Sequence, residues 1–215
     1  MRSPADAVRR AADVLAAISL LIVASPILFA VAIATRLSVG SGVVYRQRRI
    51  GLGGRPFELL KFRSMRNPRP GRESPEFDAE RITRAGAWIR STSLDELPSL
   101  LNLLRGDIGL VGPRPLPVHY WSRFRGDEYE RFEVLPGITG LAQVSGRNQL
   151  DWPERLALDV EYVRERSLSG DARILLRTIP AVLGGGGVEQ EAGVTMTELP
   201  ADRPDRPGVG QDNSE

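Results

Sequence analysis

Two carboxylates stand side by side in Ser93-Leu94-Asp95-Glu96-Leu97-Pro98, at the meeting point of two apolar helical stretches within residues 82 to 105. Ser93 to Glu96 fits a capping box, which would give both acids a purely structural role at a helix start. Pro98 argues for the other reading. It makes Leu97 as good a cap, with Pro98 in the favoured first helical position, which would leave Asp95 and Glu96 ahead of the helix and facing whatever its positive end attracts. Cations are available to such a pair. Lys61 is the one lysine beside 28 arginines, and period-two alternation in a strand over residues 57 to 65 puts Leu59, Lys61 and Arg63 on one face. Cations on adjacent same-face positions suit a phosphate or a carboxylate. Arg114 sits in a stiff stretch, Gly106-Asp107-Ile108-Gly109-Leu110-Val111-Gly112-Pro113-Arg114-Pro115, as a structural turn or as a rigidly presented guanidinium. A similar layout recurs from Pro136 to Asn148 and carries Arg147. Asp159 falls on the stripe of Leu156, Val160 and Val163, where an acid needs an arginine or a metal as partner.

Other chemistries are closed. There is no cysteine and a single histidine, His119, so thiol nucleophiles, cysteine zinc sites and a Ser-His-Asp triad are excluded or disfavoured. His119, beside Tyr120 and Trp121, reads as structural. The turn Gly51-Leu52-Gly53-Gly54-Arg55-Pro56 lacks the Gly-Lys-Ser/Thr ending of a nucleotide P-loop. What remains is chemistry by carboxylates, arginines, hydroxyls and backbone.

The elements that must carry these residues begin with Val14 to Thr35, 22 residues without a charge, long enough to cross a hydrocarbon core of roughly 30 Å. Arg9 and Arg10 precede it and Arg36, Arg46, Arg48 and Arg49 follow. With both flanks positive, the positive-inside rule is met best if both ends stay cytoplasmic. Ser25-Pro26 predicts a break at mid-segment, so a straight anchor and a re-entrant helix both remain open. The basic stretch from Arg46 to Arg72 belongs beside lipid headgroups, which explains the basicity without nucleic acid. Beyond the membrane segment the pattern predicts a hairpin of Val43 to Ile50 and Phe57 to Met65, a polar loop over 66 to 80, and helices near Pro153 to Leu168 and Asp171 to Leu183. An acidic, Pro-rich tail after Gly187 reads as disordered. The fold class is α+β, mainly α: a re-entrant membrane helix (1–42), a small cytosolic catalytic domain with a short β-hairpin and amphipathic interface helices (43–183), and a tail (184–215).

Taken together the segments resemble the bacterial sugar transferase family, monotopic phosphoglycosyl transferases. The likeness rests on the helix with Ser25-Pro26, Tyr45-Arg46-Gln47-Arg48-Arg49-Ile50-Gly51, Lys61-Phe62-Arg63-Ser64-Met65, Arg90-Ser91-Thr92-Ser93-Leu94-Asp95-Glu96-Leu97-Pro98, Gly112-Pro113-Arg114-Pro115, Pro136-Gly137-Ile138-Thr139-Gly140 and Leu158-Asp159-Val160-Glu161-Tyr162-Val163. The resemblance implies transfer of a phosphosugar from a UDP-sugar to undecaprenyl phosphate, with release of UMP. It implies Asp95 as nucleophile in a ping-pong course, with Glu96 handling a proton or positioning the acceptor. Lys61, Arg90, Arg114 and Arg147 match family positions that would bind phosphate, and Asp159 matches a family acid in a supporting role. Mg²⁺ would be the metal, with Asp95 its ligand. The family setting is the cytoplasmic face of a bacterial inner membrane, with the helix re-entrant and a homodimer possible at the family level. Larger members carry further N-terminal helices, so this chain reads as a minimal core.

Overall fold

The computed structural model describes residues 3–68, 70–71, 74, 77–146, 150–183 and 198–203. Helix α1, Pro4–Val39, starts at a capping box in which Ser3 and Asp6 exchange side-chain bonds, with Pro4 in the first turn. Gly40, at φ 96°, ends it. Where the sequence predicts a break, the chain stays helical. Pro26 has no amide to donate to Ile22, four residues back, and the Ser25 hydroxyl donates to that Ile22 carbonyl instead, at 2.8 Å. The serine thus satisfies the acceptor that the proline orphans.

Most of α1 is exposed and apolar, including Leu15, Ile22, Val23, Phe29 and Leu37. One narrow face is not. Ala17 packs with Leu59, Leu100, Leu103 and Ile108, and further along Val31 packs with Phe62 and Ile89. At the N-terminal end Arg10 donates to the Leu103 and Leu104 carbonyls at 2.7 and 2.6 Å, and Asp13 accepts the Leu110 amide at 2.8 Å. At the other end Thr35 is wholly buried. From Asp13 to Thr35 the helix rises about 33 Å, so it is held to the rest of the chain along nearly its whole apolar length.

Strands β1 (Val44–Ile50) and β2 (Pro56–Phe62) pair antiparallel, with Tyr45 opposite Lys61. The hairpin turn uses Gly53 and Gly54 at φ 62° and 76°. A side chain at Gly54 would strike the Trp121 ring, which lies 2.5 Å from the place of a Cβ. β2 ends sooner than alternation predicts. Arg63 lies just past the strand, where its guanidinium donates to the Ser41 carbonyl and Asn67, and it does not border the cavity that Lys61 lines.

Helices α2 (Asp78–Arg81), α3 (Arg84–Ser91) and α4 (Leu100–Arg105) follow. Then β3 (Gly109–Val111) and β4 (Gly137–Thr139) pair in parallel. That pairing explains the two similar glycine-rich stretches: a Cβ at Gly112 would lie 2.3 Å from the Leu135 carbonyl, so only glycine lets the backbones meet. α5 (Leu141–Ser145) leads to α6 (Trp152–Arg164), which opens on an Asp151–Glu154 capping box, and to α7 (Leu168–Leu183). The boundary between the last two falls earlier than the periodicity predicts.

Of the tail, residues 184–197 and 204–215 lie outside the described residues. Residues 198–203 depart from the expected disorder: Leu199 is fully buried in a core with Ile50, Leu116, Tyr120, Phe124, Phe132 and Leu156. Arg123 donates to its carbonyl at 2.6 Å, and Arg203 pairs with buried Glu128 at 2.7 Å. Composition misses this because one buried leucine and two ion pairs, Arg203–Glu128 and Arg123–Glu198, carry the docking.

Candidate active site

Asp95 and Glu96 lie on a 3-10 turn, Leu94–Ser99, between α3 and α4. Neither cap predicted from the sequence forms. Ser93 adopts the left-handed region, φ 56° and ψ 16°, with no capping bond, and α4 begins only at Leu100. Among the described residues it is the one non-glycine with positive φ, a local cost that places the two acids ahead of the helix. Buried Asn102 secures the same junction to the hairpin. It accepts the Leu60 amide at 2.9 Å and donates to the Glu58 carbonyl at 2.7 Å, fixing Lys61 relative to α4. The sequence signal for it was a lone amide within Leu100-Leu101-Asn102-Leu103-Leu104.

The two carboxylates then part ways. Glu96 Oε1 accepts both Lys61 Nζ and Arg114 Nη2, each at 2.8 Å. Arg114 foremost, with Lys61, holds the Glu96 carboxyl far below its ordinary range despite burial. Asp95 Oδ2 is 3.9 Å from Lys61, beyond hydrogen-bonding distance. Burial pushes the Asp95 carboxyl up, Lys61 opposes this, and neighbouring Glu96 adds to the rise. One acid is a fixed anion between two cations, and the other remains available.

Arg114 is held from its backbone outward. The Gly137 amide donates to the Pro113 carbonyl, the Ile50 amide to the Leu116 carbonyl, and Arg131 Nη2 to the Arg114 carbonyl at 2.8 Å. Arg131 also reaches Asp159 Oδ2 through Nε and Nη2 at 3.1 and 2.8 Å. Asp159 is therefore the buried acid with an arginine partner that the helix stripe required. Burial pushes its carboxyl up and Arg131 counters this. Its contact with the site runs through Arg131 to Arg114. Arg90, in the last turn of α3, stabilises the Asp95 anion through its charge. Arg147 lies outside the described residues.

Beside Glu96, Lys61 and Arg114 is a cavity of about 30 Å³, bordered also by Arg49, Pro115 and Ile138. Among the described residues no three carboxyl or imidazole groups converge as a metal cage. A magnesium ion needs less: it binds through one or two carboxylates and takes further oxygens from substrate phosphates and water. Asp95 fits that requirement, whereas Glu96 is occupied by cations.

The sequence has counterparts among known proteins. A family model described as bacterial sugar transferase matches residues 4–185. An uncharacterised sugar transferase, EpsL, of Bacillus subtilis is 44% identical over 87% of this chain and 93% of its own length. The UDP-glucose:undecaprenyl-phosphate glucose-1-phosphate transferase of Caulobacter vibrioides is 41% identical over 85% of this chain and 72% of its own. ExoY of Rhizobium meliloti, an exopolysaccharide production protein, is 38% identical over 81% of this chain and 84% of its own. With the family model covering both α1 and the carboxylate turn, the chain belongs to the bacterial sugar transferase family.

Proposed function

We propose that this enzyme moves a sugar 1-phosphate from a UDP-sugar to undecaprenyl phosphate, in two displacements through Asp95. The observation that carries the reading is the division of labour between adjacent acids: Glu96 is tied to Lys61 and Arg114, and Asp95 is not hydrogen-bonded to either cation. The named activity of the Caulobacter vibrioides relative supports the substrates.

An Asp95 carboxylate oxygen attacks the β-phosphorus, the bond from that phosphorus to the bridging oxygen breaks, and UMP leaves with the electron pair. An oxygen of undecaprenyl phosphate then attacks the same phosphorus, and the acyl phosphate bond breaks to restore the Asp95 carboxylate. No proton need move, because donor, acceptor and nucleophile are all anions. The work of the site is charge neutralisation, which Lys61, Arg90 and Arg114 supply. Glu96, held ionised, is poorly suited to proton handling and well suited to fixing Lys61 and Arg114. Magnesium held by Asp95 and the diphosphate would add Lewis-acid neutralisation of the phosphate oxygens.

The seating of α1 on the domain also supports a re-entrant disposition. A helix running straight through a bilayer would lift its far end away from a domain outside it, yet both ends of α1 are bound to the same domain. The site would then lie at headgroup level on the cytoplasmic face, where a soluble nucleotide and a lipid phosphate meet.

The test is intact mass spectrometry of the solubilised enzyme with Mg²⁺ and a panel of UDP-sugars, without lipid. A phosphosugar increment on the peptide holding Asp95, with UMP released and both lost in Asp95→Asn, is expected. Near-normal turnover of Asp95→Asn would sink the mechanism.

A further inference from the structure

Resting on the reading above, we infer that Arg49 is a further cation of the diphosphate site, gripping the donor's phosphates beside Lys61 and Arg114. Nothing about Arg49 singles it out in the sequence, where it is one of several arginines in Arg46-Gln47-Arg48-Arg49. The fold separates it from them. Arg46 pairs with Glu58 on the exposed hairpin surface, whereas Arg49 lines the small cavity with Lys61, Glu96 and Arg114.

Two features mark its guanidinium as built for an incoming anion. Of the five N–H groups such a side chain carries, the described bonds occupy one on Nη1, given to the Pro115 carbonyl at 3.1 Å, and one on Nη2, given to Gln47 Oε1 at 2.6 Å. Both acceptors are neutral. The Nε proton is buried and has no partner. Unpaired buried donors are costly and rare, and one on a cation beside a cavity is a place for an acceptor to arrive.

The charge count points the same way. Arg49, Lys61 and Arg114 border a cavity to which Glu96 contributes a carboxylate already bonded to Lys61 and Arg114. Burial, and next the neighbouring Arg114, lower the Arg49 pKa to about 10, the mark of a cation short of counter-charge. A cavity of about 30 Å³ has room for roughly two oxygen-sized groups, at 10–15 Å³ each. That matches non-bridging phosphate oxygens and leaves nucleoside and sugar outside. Gln47 and the Pro115 carbonyl orient the guanidinium plane, so the grip can be bidentate.

The experiment uses the full chain in detergent and two measurements: calorimetric binding of UDP, and KM values for donor and undecaprenyl phosphate, in wild type, Arg49→Gln and Arg49→Lys. Loss of a charge-assisted hydrogen bond predicts UDP binding and donor KM worsened about 10- to 100-fold in Arg49→Gln. The acceptor KM stays within about twofold, and Arg49→Lys, which keeps charge without the fork, is intermediate. Unchanged UDP binding in Arg49→Gln overturns the assignment. Equal loss towards donor and acceptor also overturns it, since that is what a merely structural arginine would give. If Arg49→Gln does not fold, Arg49→Lys decides alone, and wild-type affinity for UDP in that variant counts against the fork. A wild type that neither binds UDP nor transfers from any UDP-sugar instead overturns the nucleotide-sugar reading itself.

Discussion

Asp159→Ala should separate the stability of this fold from its catalysis. Arg131 and Asp159 are 2% and 7% exposed at their side chains, and two N–H groups of Arg131 reach one carboxylate oxygen. Arg131 lies over the rings of Phe124 and Phe132, at 5.3 and 5.0 Å from their centroids, so it has no route to water. Removing the carboxylate leaves a buried, uncompensated guanidinium, which costs about 3–5 kcal/mol. That is a large part of a typical 5–15 kcal/mol total. At about 2–4 °C per kcal/mol for a chain of this size, the midpoint of thermal unfolding should fall by about 6–20 °C. The paired change Arg131→Met with Asp159→Leu removes both charges into apolar surroundings and should recover most of the loss. It should not recover turnover. The Arg131 bond to the Arg114 carbonyl is gone in that variant, and a misplaced Arg114 loses its grip on Glu96 and, on the proposed mechanism, on phosphate. The assay is a melt and a UMP-release rate on the same preparations. A cost under about 1 kcal/mol in Asp159→Ala would refute the buried-charge argument, and full recovery of both readouts in the double variant would refute the link to Arg114.

Further outcomes follow from other parts of the chain. Leu199→Ala removes a fully buried side chain, a change worth about 2–5 kcal/mol, but undocking of residues 198–203 caps the penalty at the low end; denaturant unfolding measures it, and a silent variant would mean the segment does not dock. Ser25→Ala orphans the Ile22 carbonyl in an apolar setting and should lower helix stability, whereas Pro26→Ala restores the amide and tolerates loss of the serine hydroxyl. Melts of the two single variants and Ser25→Ala/Pro26→Ala test this, and equal losses in Ser25→Ala and the double variant would refute it. On pH, Asp95 as the proposed nucleophile must be ionised and its folded pKa lies above 3.8, so the rate of adduct formation should fall as pH drops through a midpoint above that value. Glu96 has the opposite sign. Its depressed pKa contributes stability that is present above 4.5 and lost only as pH falls towards its folded value, so the acid limb of the rate should precede acid unfolding. Simultaneous loss of rate and fold would count against this assignment.

What the sequence made legible were the features whose physics is local. An uncharged run of apolar residues reads as one long helix, glycine-rich runs as turns, and an acid on an apolar stripe as one needing a partner. Hidden features were those made by contacts distant in sequence. Asp95 and Glu96 look equivalent until Lys61 and Arg114, both remote in the chain, choose Glu96. Alternation makes Arg63 the companion of Lys61, but β2 ends at Phe62 and the Arg63 guanidinium is bonded to Ser41 and Asn67. Arg49 and Asn102 carry no signal of type, only of place. The capping box at Ser93 failed because a left-handed residue there lets the acids precede α4, and propensity does not foresee a strained φ.

The same long-range contacts bear on how the site could meet a lipid. The end of α4 is capped by Arg10 of α1, a cation against the last carbonyls of the helix that follows the carboxylate turn. The other side of that turn is braced by Val31 of α1, packed with Phe62 and Ile89 and touched by Leu94 and Leu97. Helix α1 therefore brackets Asp95 and Glu96 from both directions. On the proposed re-entrant seating, the depth of α1 in the bilayer fixes the height of Asp95, because the turn cannot move relative to Ala17 and Val31 without opening two buried clusters. A helix that only tethered the domain would need neither contact.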